Sequence, residues 1–244
     1  MSQSDMEALT VTLVHSSDLH VDDDVRPGRY NGLRGLRAVL ATADSVGADI
    51  VLLAGDTFDN VRVGRAVLEQ AASLLAAAAM PVVMLPGNHD PAMADCLYAR
   101  AGVAGLRQVR VLGVTDGDAI DFARHELRIC GRAHRDYADM TPLATRWPRQ
   151  TPRQVVMAHG HYVPAADWKS QAHRAWKISD DDLANTDADY IALGHWDVAT
   201  PVGDRRVPAY YSGSPDVAGT VNLIRLSSLG TEVAREPLVW PRGD

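Results

Sequence analysis

Over the first third of the chain, short apolar runs alternate with helical stripes. Residues 10–15 form a β-branched run that predicts a strand. Leu33, Leu36, Val39, Leu40, Ala43 and Val46 then recur at helical spacing, with Asn31 placed to cap the helix and Gly47 to stop it. Ile50–Ala54 is a continuous apolar run, the mark of a strand buried on both faces. Residues 62–79 predict a second helix, ended by Pro81, and Val82–Leu85 a third strand. The order β-α-β-α-β at short spacing predicts a parallel sheet with right-handed crossovers.

The second half changes character. Residues 110–112, 127–131, 155–158, 190–193, 208–212, 221–226 and 232–238 read as strands, with few long helices between them. Residues 133–153, rich in Arg, Pro and Thr, read as a surface loop. This order fits an α/β class protein, a mixed two-sheet β-sandwich flanked by helices. Residues 10–244 are expected to form one domain after a disordered tail at residues 1–9.

Composition narrows the function classes. At 244 residues, with 46% hydrophobic and 23% charged residues, the chain can bury a core without disulfides. Its net charge of −7 argues against a dedicated duplex-DNA binder, whose affinity comes from Lys and Arg on phosphates, while leaving room for a local basic face. Cys96 and Cys130 form no C-x-x-C pair and read as two reduced, buried thiols. The first nine residues lack the apolar segment of a secretory signal, and no stretch approaches the roughly 18 apolar residues of a membrane span. The expectation is a cytoplasmic protein with no membrane partner.

The chemistry lies at the strand ends. Asp18-Leu19-His20 follows the first strand, Gly55-Asp56-Thr57-Phe58-Asp59 the second, and Gly87-Asn88-His89-Asp90 the third. His159-Gly160-His161 and Gly194-His195-Trp196-Asp197 follow two later strands. Ligands of open α/β sheets sit beyond the carboxyl ends of strands, so these side chains can converge on one rim. Each motif alone is common. Together they predict a shared metal site, because carboxylate oxygens and imidazoles suit divalent Mn, Fe, Zn and similar ions.

This ordered set resembles the calcineurin-like metallophosphoesterase superfamily, from Asp18 to Asp197. The resemblance implies the four-layer αββα form of the fold and two divalent cations, manganese first, with Fe, Zn, Ni or Mg as alternatives. It implies one metal on Asp18, His20 and Asp56 and a second on Asp56, Asn88, His159 and His195. Asp56 would bridge them, and His89 would be the unligated catalytic histidine. It further implies a phosphate-ester substrate attacked by a metal-bridging hydroxide. Gly-Asp-Thr-Phe-Asp, Gly-Asn-His-Asp and Tyr211-Ser212-Gly213-Ser214-Pro215 look like the SbcD-like DNA-repair exonuclease branch. That points to a phosphodiester in a nucleotide, nucleic-acid end or small molecule. The rivals are a phosphomonoesterase, a cyclic-nucleotide phosphodiesterase and a catalytically silent scaffold.

Two departures stand out. Asp197 occupies the place of the usual second histidine of Gly-His-x-His, as a carboxylate ligand that hardens the first site or as an outer carboxylate. The closing strands take up the residues after His195, which leaves that branch's DNA-capping and partner-docking regions without a counterpart. A homo-oligomer is compatible with everything above.

Other candidates read more plainly. His161 is the alternative to His159 as a ligand, but His159 directly follows its strand. Asp59 and Asp90 read as carboxylates that orient ligands. His15 reads as a core histidine, and His125, His134 and His173 as solvated. Asp180-Asp181-Asp182 reads as a helix N-terminus, and Trp168, Arg174, Trp176 and Lys177 as either substrate rim or packed loop.

Overall fold

The structure is a computed structural model that describes residues 10–23, 31–167 and 175–241. Three strands lead: β1 (Val11–Ser16), β2 (Ile50–Ala54) and β3 (Val82–Leu85), each parallel to the next. Two helices connect them, α1 (Gly32–Ser45) and α2 (Arg65–Ala76). The Asn31 side chain caps α1 by accepting from the Arg34 N–H, and Gly47 leaves the helix at φ 62°, where a side chain would be strained.

The first sheet is completed by β4 (Val109–Val111), parallel beside β3. On the other side of β1 run antiparallel β13 (Thr220–Ser227) and β14 (Gly230–Pro237). The second sheet has parallel β6 (Leu127–Gly131), β7 (Arg153–His159), β10 (Tyr190–Gly194) and β12 (Ala209–Tyr211). Antiparallel β5 (Ala119–Phe122) and β11 (Thr200–Val202) lie at its edges. A two-stranded ribbon pairs β8 (His161–Tyr162) with β9 (Lys177–Ile178).

Period-two alternation sorts each central strand between two cores. Ile50, Leu52 and Ala54 of β2 face the second sheet, where Val155 and Met157 of β7 and Tyr190 and Ala192 of β10 meet them. Val51 and Leu53 turn outward under α1 and α2, against Leu36, Val39, Leu68 and Leu75. Val156, Ala158, Ile191 and Leu193 face the far side of the second sheet. Two large mixed sheets with flanking helices are the fold class read from the sequence.

The far layer is thin. Among the described residues, Leu183 of the five-residue helix α4 (Asp180–Ala184), Ile178 of β9, and Leu143 and Trp147 of the irregular segment 133–152 are buried there, so that segment is anchored over the sheet rather than being a free surface loop. Two more short helices, α3 (Leu97–Arg100) and α5 (Pro215–Ala218), lie elsewhere. Among the described residues no helix is long and apolar enough to cross a membrane. Cys96 and Cys130 are free and buried, and burial pushes the Cys130 thiol up to about 11.

Candidate metal centre

The carboxyl ends of β1, β2, β3, β7 and β10 meet at one place. Ligand atoms of Asp18, His20 and Asp56 lie within 4.8 Å of one another, as do those of Asp56, His159 and His195. Asp56 belongs to both groups. Asn88 joins the second, its Oδ1 3.0 Å from His159 Nε2.

The backbone is strained at this point. Asp18, His20, Asp56 and His195 all have positive φ, at 53°, 50°, 50° and 108°. Such conformations cost about 1–3 kcal/mol each and persist only where surrounding bonds impose them. Here the Asp18 N–H donates to the Gly55 carbonyl and the His20 N–H to the Asp56 carbonyl. The His195 N–H donates to the Asp18 carboxylate, 2.9 Å from Oδ2 and 3.1 Å from Oδ1.

Glycines admit the ligands. A Cβ on Gly55 would lie 2.1 Å from His159 Nδ1, one on Gly87 2.2 Å from Asp56 Oδ1, and one on Gly194 1.9 Å from the Ala54 carbonyl. That Gly87 Cβ would also lie 2.6 Å from the Asp56 backbone nitrogen, so Gly87→Ala should shift both the backbone and the carboxylate of Asp56. Calorimetric titration with Mn²⁺ is expected to read about a tenfold or greater loss of affinity. Unchanged affinity would mean that Asp56 does not hold the ion.

The donor set fits a cation. His159 Nδ1 faces the Ala54 carbonyl at 2.9 Å, while Nε2 faces Asp56 Oδ2 at 3.0 Å and Asn88 Oδ1. Every one of these partners is an acceptor, so the metal-free imidazole carries both protons. Burial opposes that charge, but Asp56 outweighs it and raises His159 to about 9. Burial likewise works to raise the Asp56 carboxyl, yet the facing His159 holds it well below the carboxylate range. A divalent ion would replace the Nε2 proton and leave Nδ1–H on Ala54, the usual tautomer of a metal-bound histidine.

The other shifts follow from burial too. It raises Asp18 to about 6 despite the pull of His159, and with help from His159 it lowers His195 to about 3. Cation uptake should therefore strengthen as pH rises. Near pH 7 about one proton leaves, from His159. Near pH 5 the count approaches about two, as Asp18 also gives one up, and above pH 9 the dependence flattens. Titration with Mn²⁺ across pH checks this; affinity independent of pH from 5 to 8 would contradict it.

Asp59 and Asp90 orient their neighbours. Asp59 Oδ1 lies 3.0 Å from His20 Nδ1, and the Asp59 carbonyl lies 2.5 Å from His89 Nδ1. A carbonyl only accepts, so His89 Nδ1 donates and its Nε2 is left as the acid–base nitrogen. Ligand atoms of His20, Asp59 and His89 form a third close group, and the His20 and His89 rings stand edge to face at 5.0 Å. The His89 N–H also donates to Asp56 Oδ1. Buried Asp90 accepts from Gly87 N–H, Phe58 N–H and the Tyr98 hydroxyl, tying the β2 and β3 turns together.

Asp197 falls in none of the three groups; its backbone carbonyl accepts from the Ser214 N–H. His161 is also outside them, its Nδ1 accepting from Trp196 Nε1 at 2.9 Å. His15 is fully buried, with Nδ1 against the Tyr190 hydroxyl. Ser179 and Asp182 form the capping box of α4, as the acidic run suggested. Trp168, His173 and Arg174 lie outside the described residues.

His134 corrects the sequence reading. It is fully buried rather than solvated, with Nε2 2.9 Å from the His159 carbonyl and its ring 5.7 Å from that of His159. Burial and the neighbouring His159 lower it to about 4. Trp176 closes the same wall, its ring 5.4 Å from His134 and 6.0 Å from His195, on a backbone with φ 50°.

A family model described as calcineurin-like phosphoesterase matches residues 11–199. No curated protein matches the chain. Among solved structures, TT1561 of Thermus thermophilus superposes with a TM-score of 0.60 at 12% identity, covering 93% of this chain and 99% of that one. A second crystal structure gives 0.59 at 13% identity, with 94% and 100% covered. At these identities the likeness concerns the fold.

Proposed function

The chain belongs to the calcineurin-like phosphoesterase family and is a phosphate-ester hydrolase; within that class we propose a phosphodiesterase that works with two divalent cations, manganese foremost. Its substrate is a nucleotide, a nucleic-acid end or a small phosphodiester. The observation that carries the two-cation reading is Asp56, one carboxylate shared by two groups of donors.

When bound, the cations neutralise phosphoryl charge and lower the pKa of an attacking water. The chain's own residues do the rest. Asp56 spans both groups and sets their separation. Asp59 orients His20 through its carboxylate and His89 through its carbonyl. His89 is exposed at the rim, where its Nε2 can give a proton to the leaving oxygen.

The diester preference rests on the local motifs around Asp56, His89 and Ser212. The net charge of −7 disfavours a broad duplex footprint. The test compares bis-p-nitrophenyl phosphate, p-nitrophenyl phosphate, cyclic nucleotides, and single- and double-stranded DNA with Mn²⁺. Faster turnover of diesters, with little action on long duplex, is expected. A strong monoester preference would overturn the diester assignment.

A further inference from the structure

We propose that Ser212 is a positioning residue for the first metal group: it acts through Ser17 on Asp18 and so sets how tightly that group holds a divalent cation. This rests on the two-cation reading above. Ser17 follows β1 in one sheet and Ser212 follows β12 in the other, and both are fully buried. Their Oγ atoms lie 2.9 Å apart, and Ser17 Oγ lies 2.5 Å from Asp18 Oδ2.

Proton counting fixes the direction of this chain. An ionised carboxylate only accepts, so the one Ser17 proton goes to Asp18. The bond between the serines must then use the Ser212 proton. Its other acceptor, the carbonyl of adjacent Gly213, is farther at 3.1 Å. The result is a relay from Ser212 to Ser17 to Asp18, in which each bond polarises the next.

Ser212 is itself held against the site. Tyr211 stacks on Trp196 at 4.3 Å and 10°, and its hydroxyl donates to the Gly160 carbonyl. The Ser214 N–H donates to the Asp197 carbonyl. A Cβ on Gly213 would lie 2.6 Å from that same carbonyl, so residues 211–214 are clamped to the turn that carries His195. Asp18 therefore receives one donor from the relay and one from the His195 backbone, and its carboxylate plane is fixed.

The effect should fall on one cation. Among the described residues, the first group has three side chains, Asp18, His20 and Asp56. The second has four, with Asn88 beside Asp56, His159 and His195. With fewer donors, the first depends more on the aim of each.

The experiment titrates Mn²⁺ into metal-free wild type, Ser17→Ala, Ser212→Ala and the double variant by calorimetry, with melting temperatures alongside. Two binding events are expected in wild type. Ser212→Ala should weaken one by about tenfold and spare the other. The double variant should be no weaker than Ser17→Ala alone, since Ser212 acts only through Ser17. If Ser212→Ala does not fold, Ser212→Cys keeps the volume with a weaker donor and should weaken the same event. Unchanged binding with a lowered melting temperature would overturn the proposal, as would additive losses in the double variant. Fewer than two events in wild type would instead remove the two-cation reading, a failure visible before any variant is made.

Discussion

Asp56→Asn is expected to abolish binding of both cations at micromolar concentration and to lower turnover by about 10³-fold or more. Asparagine keeps the shape of the side chain and an oxygen for the His89 N–H, which now bonds to Oδ1. It removes the charge shared by both donor groups. Polarisation by bound metal is worth several kcal/mol, and each 1.4 kcal/mol is about tenfold in rate. The fold should survive, because Asp56 sits on a turn whose backbone bonds to His20 remain. Metal analysis and turnover of bis-p-nitrophenyl phosphate test this together. Two ions retained in Asp56→Asn would remove Asp56 from the bridge.

The second large effect belongs to His89→Ala. It should keep both cations and lose about 10²–10⁴-fold in rate on esters with basic leaving groups. The loss should shrink on nitrophenyl esters, whose leaving oxygen needs no proton. Exposure at the rim and the Asp59 bond to Nδ1 motivate this, since they present Nε2 to a substrate rather than to the protein. Equal losses on both kinds of ester would count against proton donation, and loss of metal would make His89 a ligand.

Much of this was legible in the residues because burial writes itself as periodicity. Ile50–Ala54 is apolar throughout, and it proves to alternate between two cores. The donors were legible because each follows such a run at a strand exit. Features that depend on tertiary context leave no such local pattern. His134 lies in a polar stretch, and only the packing of residues 133–152 against the second sheet buries it behind His159. Two-residue strands such as β8 and β9 carry no period to detect. The second helix begins at Arg65 rather than at residue 62, because Gly64 is extended (φ −71°, ψ 153°) and serves as the N-cap, its N–H accepted by Asp23. Ser17 and Ser212 are 195 positions apart, and nothing local links them.

One carboxylate, Asp56, is proposed to join two cations in this phosphoesterase centre. Anomalous scattering from crystals grown with Mn²⁺ tests it most directly. Two peaks about 3.5–4 Å apart are expected, one beside Asp18 and His20 and one beside Asn88, His159 and His195, with Asp56 between them. Peaks that lie away from Asp56 and His195, or a single peak that never acquires a partner as Mn²⁺ is raised, would contradict it.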